Sequence, residues 1–305
     1  TFNDLGDLKK QVREACLTAK LVGSGKTYFA PTEVVVDCIK ARLIKDFRQV
    51  PLADKKALME AYNKIVLGYH EKIQTSIVRY ADSFKSVWFA SSEGTYIEEE
   101  VPDVNIYVGA TARDGDIVQK GFESGGGADG YQSVEGFHEQ AATAAQKAVE
   151  LLSAPPVKGG KYTVITDQIM TGVFTHEAFG HLSESDFVYE NPQMQELMHL
   201  GKRFGVQGLN IIDDGSYPGG LGSHRYDSEG VRMRKNYLVK DGVLVGRLHS
   251  RETAAKMGEP LTGNARALHF NHPPIVRMTN TYIDNGSVPL HEMLKDIDLG
   301  VYAVK

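Results

Sequence analysis

The residues best suited to chemistry lie in the segment TGVFTHEAFGHLSESD, which runs from Thr171 to Asp186. His176 and His181 stand five positions apart, and Glu177 directly follows the first histidine, which gives the pattern H-E-x-x-x-H. In the related pattern H-E-x-x-H, two histidines on one helix face bind zinc and the glutamate serves as general base. Two neutral imidazoles beside a carboxylate could therefore hold a divalent ion and take a proton from its bound water.

The five-residue spacing does not suit a regular α-helix. Five residues turn by about 500°, which leaves the two histidines ~140° apart, too far for one ion. A single-residue insertion as a π-bulge would bring them together, and such bulges occur mostly at functional sites. Alternatively, the helix ends before His181, because Gly180 stands where a helix bends or stops easily. The sequence leaves both arrangements open, and it predicts that Phe174 and Phe179 pack in the core.

The elements before this motif predict an N-terminal α/β lobe. Apolar residues at helical spacing predict a first helix behind Asp4, a second helix starting at Pro51, and an alanine-rich third helix ending at Pro155. Between the last two, β-rich runs from Ile73 predict an antiparallel meander of about four strands, with turns at Glu93-Gly94 and Asp114-Gly115. We expect the glycine-rich segment 121–130 to form a loop.

The second half of the chain predicts a β-rich lobe that carries the helix of the metal motif. A strand at KYTVITD precedes the motif, and Asp241-Gly242 between two alternating apolar runs is a strong hairpin signal. The sequence Pro155-Pro156-Val-Lys-Gly-Gly marks the boundary. We therefore predict an α+β fold with two lobes, residues 1–155 and 156–305.

Composition restricts the environment and the partners. The net charge of −5 gives no electrostatic basis for binding nucleic acid, and no apolar run is long enough to span a bilayer, so neither a nucleic acid nor a membrane is expected as a partner. Cys16 and Cys38 cannot form a disulfide framework, which favours a reducing, cytoplasmic location. Both cysteines are expected to be buried.

Two other motifs are weaker candidates for function. GSGKT, at residues 23–27, resembles a phosphate-binding loop, but Lys20 stands where that pattern requires a glycine and a helix precedes the motif instead of a strand. A helix C-terminal turn explains it better than a nucleotide site does. His269 and His272 precede a double proline, which disfavours a second metal site on a helix, and their role stays open.

Several blocks together resemble the TldD/PmbA family. HEAFGHLSESDFV is similar to the family's signature, and the later blocks follow in the family's order: LNIIDDGSYPGGLGSHRYDSEG, YLVKDGVLVGRLHSRETA, GNARA and PPIVRMTNTYIDNG. The resemblance covers most of the chain and is densest from Lys161 to Gly286. The PmbA-like branch generally lacks H-E-x-x-x-H, so its presence identifies the chain with the TldD-like zinc metallopeptidase branch.

The resemblance implies a set of site residues and a cofactor. His176 and His181 would ligate zinc, Glu177 would be the general base, and the third ligand would be a cysteine located beyond Lys305. Glu184 and Asp186 are weaker candidates for that third ligand. Since both chain ends look cut, the sequence reads as a fragment. His249 and Arg251, in one of the family-like blocks, are candidates for lining the cleft.

The expected activity is hydrolysis of peptides or unfolded protein segments in the cytoplasm. The resemblance implies a dimer, built either from like subunits or from a TldD-like and a PmbA-like subunit. An extended peptide could lie along a strand edge of the C-terminal lobe. The alternative is a non-catalytic subunit that binds peptides or acts as a scaffold, while a partner performs catalysis.

Overall fold

The computed structural model describes residues 6–23 and 25–304. Among these residues, the N-terminal part contains three α-helices and four strands, and the long helices and strands lie close to where the periodicity predicts them. Asp4, the predicted cap of the first helix, lies outside the described residues. In chain order the elements are α1 (Leu8–Val22), β1 (Val36–Ile39), α2 (Leu52–Gly68), β2 (Ile73–Ala90), β3 (Tyr96–Asp114), β4 (Ile117–Gly127) and α3 (His138–Glu150).

The first sheet is built around the long strand β3. β2 pairs with it in antiparallel register along its length, β4 pairs with its second half, and β1 joins its first half in parallel. Gly94 and Gly115 have positive φ angles at the two predicted turns. The meander therefore has three strands, and the expectation of about four is wrong.

The predicted loop at residues 121–130 is also wrong over most of its length. β4 continues through the three glycines to Gly127, which pairs with Val104. These glycines serve packing: a Cβ at Gly125 would lie 2.8 Å from the ring of Phe137. Close contact with the chain that leads into α3 thus explains glycines that resemble a loop in the sequence.

One face of the sheet packs against α2 and α3. Alternate residues of β3 from Val104 to Ala112 are buried in this core, as the two-residue period of a strand requires. The hydroxyl of buried Tyr62 donates a hydrogen bond to the carbonyl of Val134 at 2.8 Å. The alanine-rich face of α3 approaches β4 so closely that a Cβ at Gly121 would meet the carbonyl oxygen of Ala144.

The C-terminal part is built from shorter elements. They are β5 (Thr163–Thr166), α4 (Gln168–Thr175), α5 (Ser185–Glu190), α6 (Pro192–Leu197), β6 (Ile211–Asp214), β7 (Lys235–Lys240), β8 (Val243–Leu244), α7 (Arg251–Met257), β9 (Ala265–Arg266), β10 (Ile275–Val276), β11 (Thr281–Ile283), α8 (Leu290–Leu294) and β12 (Gly300–Ala303). Four of them form a sheet in the order β11-β6-β7-β8. The predicted hairpin is confirmed, because Asp241 and Gly242 both have positive φ between β7 and β8.

The mixture of helices and sheets confirms the α+β fold class. Buried apolar residues form one cluster between Phe47 and Leu152 and a second between Val188 and Met278. The division at residue 155 lies between these clusters and stays a prediction. Polar contacts join the two parts: the Tyr226 hydroxyl, for example, donates to the Asp37 carboxylate at 2.9 Å.

Both cysteines contradict the expectation of burial. Cys16 is exposed on α1, a helix without any buried residue among those described, and Cys38 is exposed on β1. The helical spacing that placed Cys16 with apolar neighbours is real, but Leu8, Val12 and Leu17 on that face are each more than half exposed. Within the described residues, no helix has the length and hydropathy needed to cross a membrane.

Candidate metal centre

A π-turn holds the H-E-x-x-x-H motif. α4 ends at Thr175, residues His176–Gly180 form one π-helical turn, and His181–Ser183 form a short 3₁₀ turn. The amide of His181 donates its hydrogen bond to the carbonyl of His176, five residues back. Of the two arrangements left open by the sequence, the π-insertion is therefore the one that the fold adopts.

This turn brings the three side chains of the motif together. The rings of His176 and His181 have centroids 4.9 Å apart and meet nearly at right angles. The potential ligand atoms of His176, Glu177 and His181 all lie within 4.8 Å of one another. Nε2 of His181 is 3.9 Å from Oε2 of Glu177. The inserted residue thus corrects the ~140° separation of a regular helix.

Gly180 has a role that differs from the expected one. Its φ of −57° and ψ of −60° are helical, so the chain neither stops nor needs glycine's conformational freedom at this point. A Cβ at this position would instead lie 1.9 Å from Sδ of Met278. Met278 is buried in the second core, so the missing side chain of Gly180 makes room for it directly beneath the π-turn.

A buried carboxylate lies on the inner side of His181. Glu184 is 1% exposed, and its Oε1 is 3.4 Å from Nδ1 of His181 and 3.7 Å from Nε of Arg277. Neither carboxylate oxygen of Glu184 has a hydrogen-bond partner among the described residues. Burial raises the pKa of this carboxyl, while the charges of Arg277 and protonated His181 oppose the shift.

The donor set suits a zinc ion. Two imidazole nitrogens that converge from one turn are typical zinc ligands, and the buried anion behind one of them adds negative charge near the cation. Asp186 is a poor third ligand, since its carboxylate accepts hydrogen bonds from the amides of Val276 and Phe187. Within the described residues the cluster contains no thiol, and both cysteines lie elsewhere.

The two phenylalanines of the motif differ in environment. Phe179 packs against Phe204 with ring centroids 5.3 Å apart, which confirms its predicted core position. Phe174 is 65% exposed, so its predicted burial is wrong. Glu177 comes three residues after Phe174, in the π-helical turn, and its side chain is 66% exposed. This side of the metal motif is therefore open to solvent in the described chain.

Two protein-family models match this chain. Residues 159–305 match the model of the PmbA/TldA metallopeptidase C-terminal domain, and residues 45–152 match the central domain of the same family. The chain belongs to the TldD/PmbA family. The matches cover the C-terminal part and the N-terminal part from residue 45 onward.

Named relatives of this family member come from bacteria and archaea. A metalloprotease from Synechocystis is 48% identical over 304 residues, covering 99% of this chain and 66% of the relative. A metalloprotease from Methanothermobacter thermautotrophicus is 38% identical, over 92% of this chain and 60% of the relative. A zinc metalloprotease TldD homolog from Saccharolobus solfataricus is 32% identical, over 77% and 53%. The chain thus spans between about half and just under two thirds of the length of these relatives.

Solved structures of more distant proteins share the fold. A Thermotoga maritima protein, described as a proposed modulator of a DNA gyrase, superposes with a TM-score of 0.77 at 22% identity, over 94% of this chain and 64% of that one. TldE from Thermococcus kodakarensis gives a TM-score of 0.76 at 18% identity, over 98% and 67%.

Within this TldD/PmbA fold, His249 is an interior residue. It is 1% exposed, its Nε2 lies 3.0 Å from Oε2 of Glu259, and its Nδ1 lies 3.2 Å from the hydroxyl of Thr253. Arg247 pairs with the same Glu259 carboxylate. Both ring nitrogens of His249 are thus engaged inside the C-terminal part, and its proposed place in a cleft stays a prediction.

Arg251 joins the two parts of the chain. Its guanidinium donates two hydrogen bonds to Glu93, at 2.6 and 2.8 Å, and a third to the carbonyl of Ala30 at 2.8 Å. Glu93 lies in the β2–β3 turn. This contact fixes the first sheet to the start of α7, and the cleft role considered from the sequence stays a prediction.

The remaining weak motifs do not gain support as sites. His269 and His272 are both exposed, with ring centroids 6.3 Å apart, and they belong to no three-residue metal cluster among the described residues. α1 ends at GSGKT, where the amide of Gly23 donates to the carbonyl of Ala19 at 2.9 Å, as a helix C-terminal turn predicts. Ser24 of that motif lies outside the described residues.

Proposed function

We propose that this chain carries the metal centre of a zinc-dependent peptidase that cleaves peptides or unfolded protein segments. The observation that carries the proposal is the π-turn, which gathers His176, Glu177 and His181 within 4.8 Å. A structural ion needs ligands only, whereas this motif also places an exposed carboxylate beside the two imidazoles. The names of the relatives, which include metalloprotease and zinc metalloprotease, support the same activity.

Each residue of the motif has a distinct task in this proposal. His176 and His181 would hold the zinc ion, and a cysteine beyond Lys305 is proposed as the third protein ligand. When bound, zinc lowers the pKa of a coordinated water and polarises a peptide carbonyl. Glu177 accepts a proton from the attacking water and returns it to the leaving amine. Its 66% exposure lets the carboxylate reach both water and substrate.

We propose that the chain works in the cytoplasm as a dimer, either with a second copy or with a PmbA-like partner. Light scattering on the protein, alone and mixed with such a partner, distinguishes the two forms. A monomer under both conditions would contradict the dimer.

The substitution Glu177→Gln tests the catalytic role. It keeps the size of the side chain but removes the base, so we expect unchanged zinc content and peptide cleavage reduced by about 10²–10⁴-fold. The matched control is Glu196→Gln, which makes the same charge change on α6. Cleavage that survives Glu177→Gln at the level of the control would remove Glu177 from the mechanism.

Chelation separates the peptidase from a non-catalytic binding subunit. If zinc serves catalysis, removal with a chelator should abolish cleavage and leave the circular-dichroism spectrum unchanged. If zinc serves structure, removal should unfold the C-terminal part. A zinc-loaded protein without any cleavage of unfolded substrates would favour the binding or scaffolding subunit.

A further inference from the structure

His181 lies between two carboxylates in opposite environments. Its Nε2 lies 3.9 Å from Oε2 of the exposed Glu177, on the side shared with His176. Its Nδ1 lies 3.4 Å from Oε1 of the buried Glu184. The Nε2 atom of His181 therefore faces the other residues of the metal motif, and its Nδ1 atom faces the protein interior.

Glu184 lacks any other donor among the described residues. Both of its oxygens are buried and neither accepts a hydrogen bond in the described part of the chain. Burying an unpaired carboxylate costs several kcal/mol or more, so a carboxylate kept in such a place normally has a charged or hydrogen-bonded partner. The Nδ1 atom of His181 and the guanidinium of Arg277 are the cationic groups within 4 Å.

Arg277 is fixed by its own backbone. Its amide donates to the carbonyl of Asn264 at 2.8 Å, and its carbonyl accepts from Nδ2 of the same asparagine at 3.0 Å. The residues on either side also contact the metal motif: the amide of Val276 donates to Asp186 at 3.1 Å, and Met278 fills the space beside Gly180. Residues 276–278 therefore support the π-turn and the carboxylate behind it.

We propose that Glu184 is a positioning residue for His181, an inference that rests on the metal-binding function proposed above. By closing the 3.4 Å contact to Nδ1, the carboxylate would accept the Nδ1–H of His181 and so select the tautomer whose Nε2 lone pair points to the metal position. The guanidinium of Arg277, whose Nε lies 3.7 Å from the same Oε1, adds a second positive charge beside this carboxylate. Metal-ligating histidines commonly donate their other N–H to a carboxylate, and loss of that partner typically weakens metal binding by 10- to 100-fold.

Zinc affinity tests this role without any measurement of activity. In the full-length protein, competition with a chromophoric chelator should show that Glu184→Gln binds zinc 10- to 100-fold more weakly than the parent, with an unchanged circular-dichroism spectrum. The control is Glu190→Gln, which makes the same charge change at the exposed end of α5 and should bind zinc like the parent. Equal affinities of the parent and Glu184→Gln would overturn the inference and leave the peptidase proposal intact.

A second measurement needs no variant and no metal. Long-range ¹H–¹⁵N correlation spectra of the metal-free parent at about pH 8, above the usual pKa of histidine, report the tautomer of each imidazole. We expect the proton of His181 on Nδ1, and a proton on Nε2 instead would overturn the inference. Should the parent bind no zinc, the proposed function fails, and the tautomer still decides the role of Glu184.

Discussion

Replacing Gly180 by alanine should disturb the metal motif through a single steric contact. The new Cβ would lie 1.9 Å from Sδ of Met278, whereas carbon and sulfur atoms in contact normally lie about 3.5–4.0 Å apart. One of the two residues must therefore move by roughly 2 Å. Met278 is 4% exposed in the second core, so there is little room for it to move.

The cost can be estimated from known overpacking. An added methyl group in a packed core costs about 1–3 kcal/mol. Gly180 sits in the π-turn directly before His181, so movement of the turn should also separate His181 from His176 and weaken zinc binding by at least about tenfold. Gly172 offers a matched control: it lies in α4, and a Cβ there would meet nothing within 4 Å. Gly172→Ala should be neutral or stabilising by up to ~1 kcal/mol, because alanine is the better helix former.

Urea unfolding and zinc competition on both variants provide the assay, and a double mutant locates the cause. Met278→Ala alone should cost about 2–5 kcal/mol for the cavity it leaves. If the clash is the cause, Gly180→Ala/Met278→Ala should be more stable than the sum of the single costs predicts, with a coupling energy of about 1–3 kcal/mol. Additive costs, or a Gly180→Ala variant as harmless as Gly172→Ala, would refute the role given to Gly180.

Two further predictions concern stability away from the metal. Arg251→Met should lower the free energy of unfolding by about 1.5–3 kcal/mol, since it removes three charge-assisted hydrogen bonds between the two parts of the chain, whereas Glu93→Gln should cost under ~1 kcal/mol because Glu93 is half exposed. Urea titrations check both, and equal costs would contradict the account. Burial raises the pKa of Asp227 to about 7 against the opposing backbone N–H groups of Val231, Ala265 and Glu229. Because the folded pKa exceeds the unfolded one, this contribution to stability is complete below about pH 4 and is lost as the pH rises through about 7, a change of roughly 4 kcal/mol. Asp227→Asn should flatten that part of the stability–pH curve, and a curve parallel to the parent's would show that Asp227 is ionised in the folded protein.

Local patterns in the sequence predicted much of the fold. Helix α2 after Pro51, the alanine-rich α3 and the hairpin at Asp241-Gly242 depend on periodicity, caps and turn chemistry, which act between near neighbours in the chain. The His-Glu-His cluster also came from spacing, since only a π-insertion or a helix end could make a five-residue spacing useful. The strand through Gly127 was missed because a run of glycines is typical of a loop but also occurs in a strand that packs closely against its neighbours.

The missed features depend on contacts between distant residues. Glu184 stands three residues after His181, a signal that sequence reading could have used, but its other partner Arg277 is 93 positions further along the chain. Met278, which explains Gly180, comes from the same distant segment. The exposure of Phe174 and Cys16 could not be read from helical spacing either, because spacing gives the face of a helix but not what covers it.

Zinc content per chain, measured on the full-length parent and on His181→Ala side by side, tests the central claim most directly. The π-turn predicts about one zinc ion in the parent and a loss of that ion in the variant, with the fold retained. A parent that holds no zinc when prepared without chelator, or a variant that holds as much as the parent, would contradict the assignment of His176 and His181 as a ligand pair.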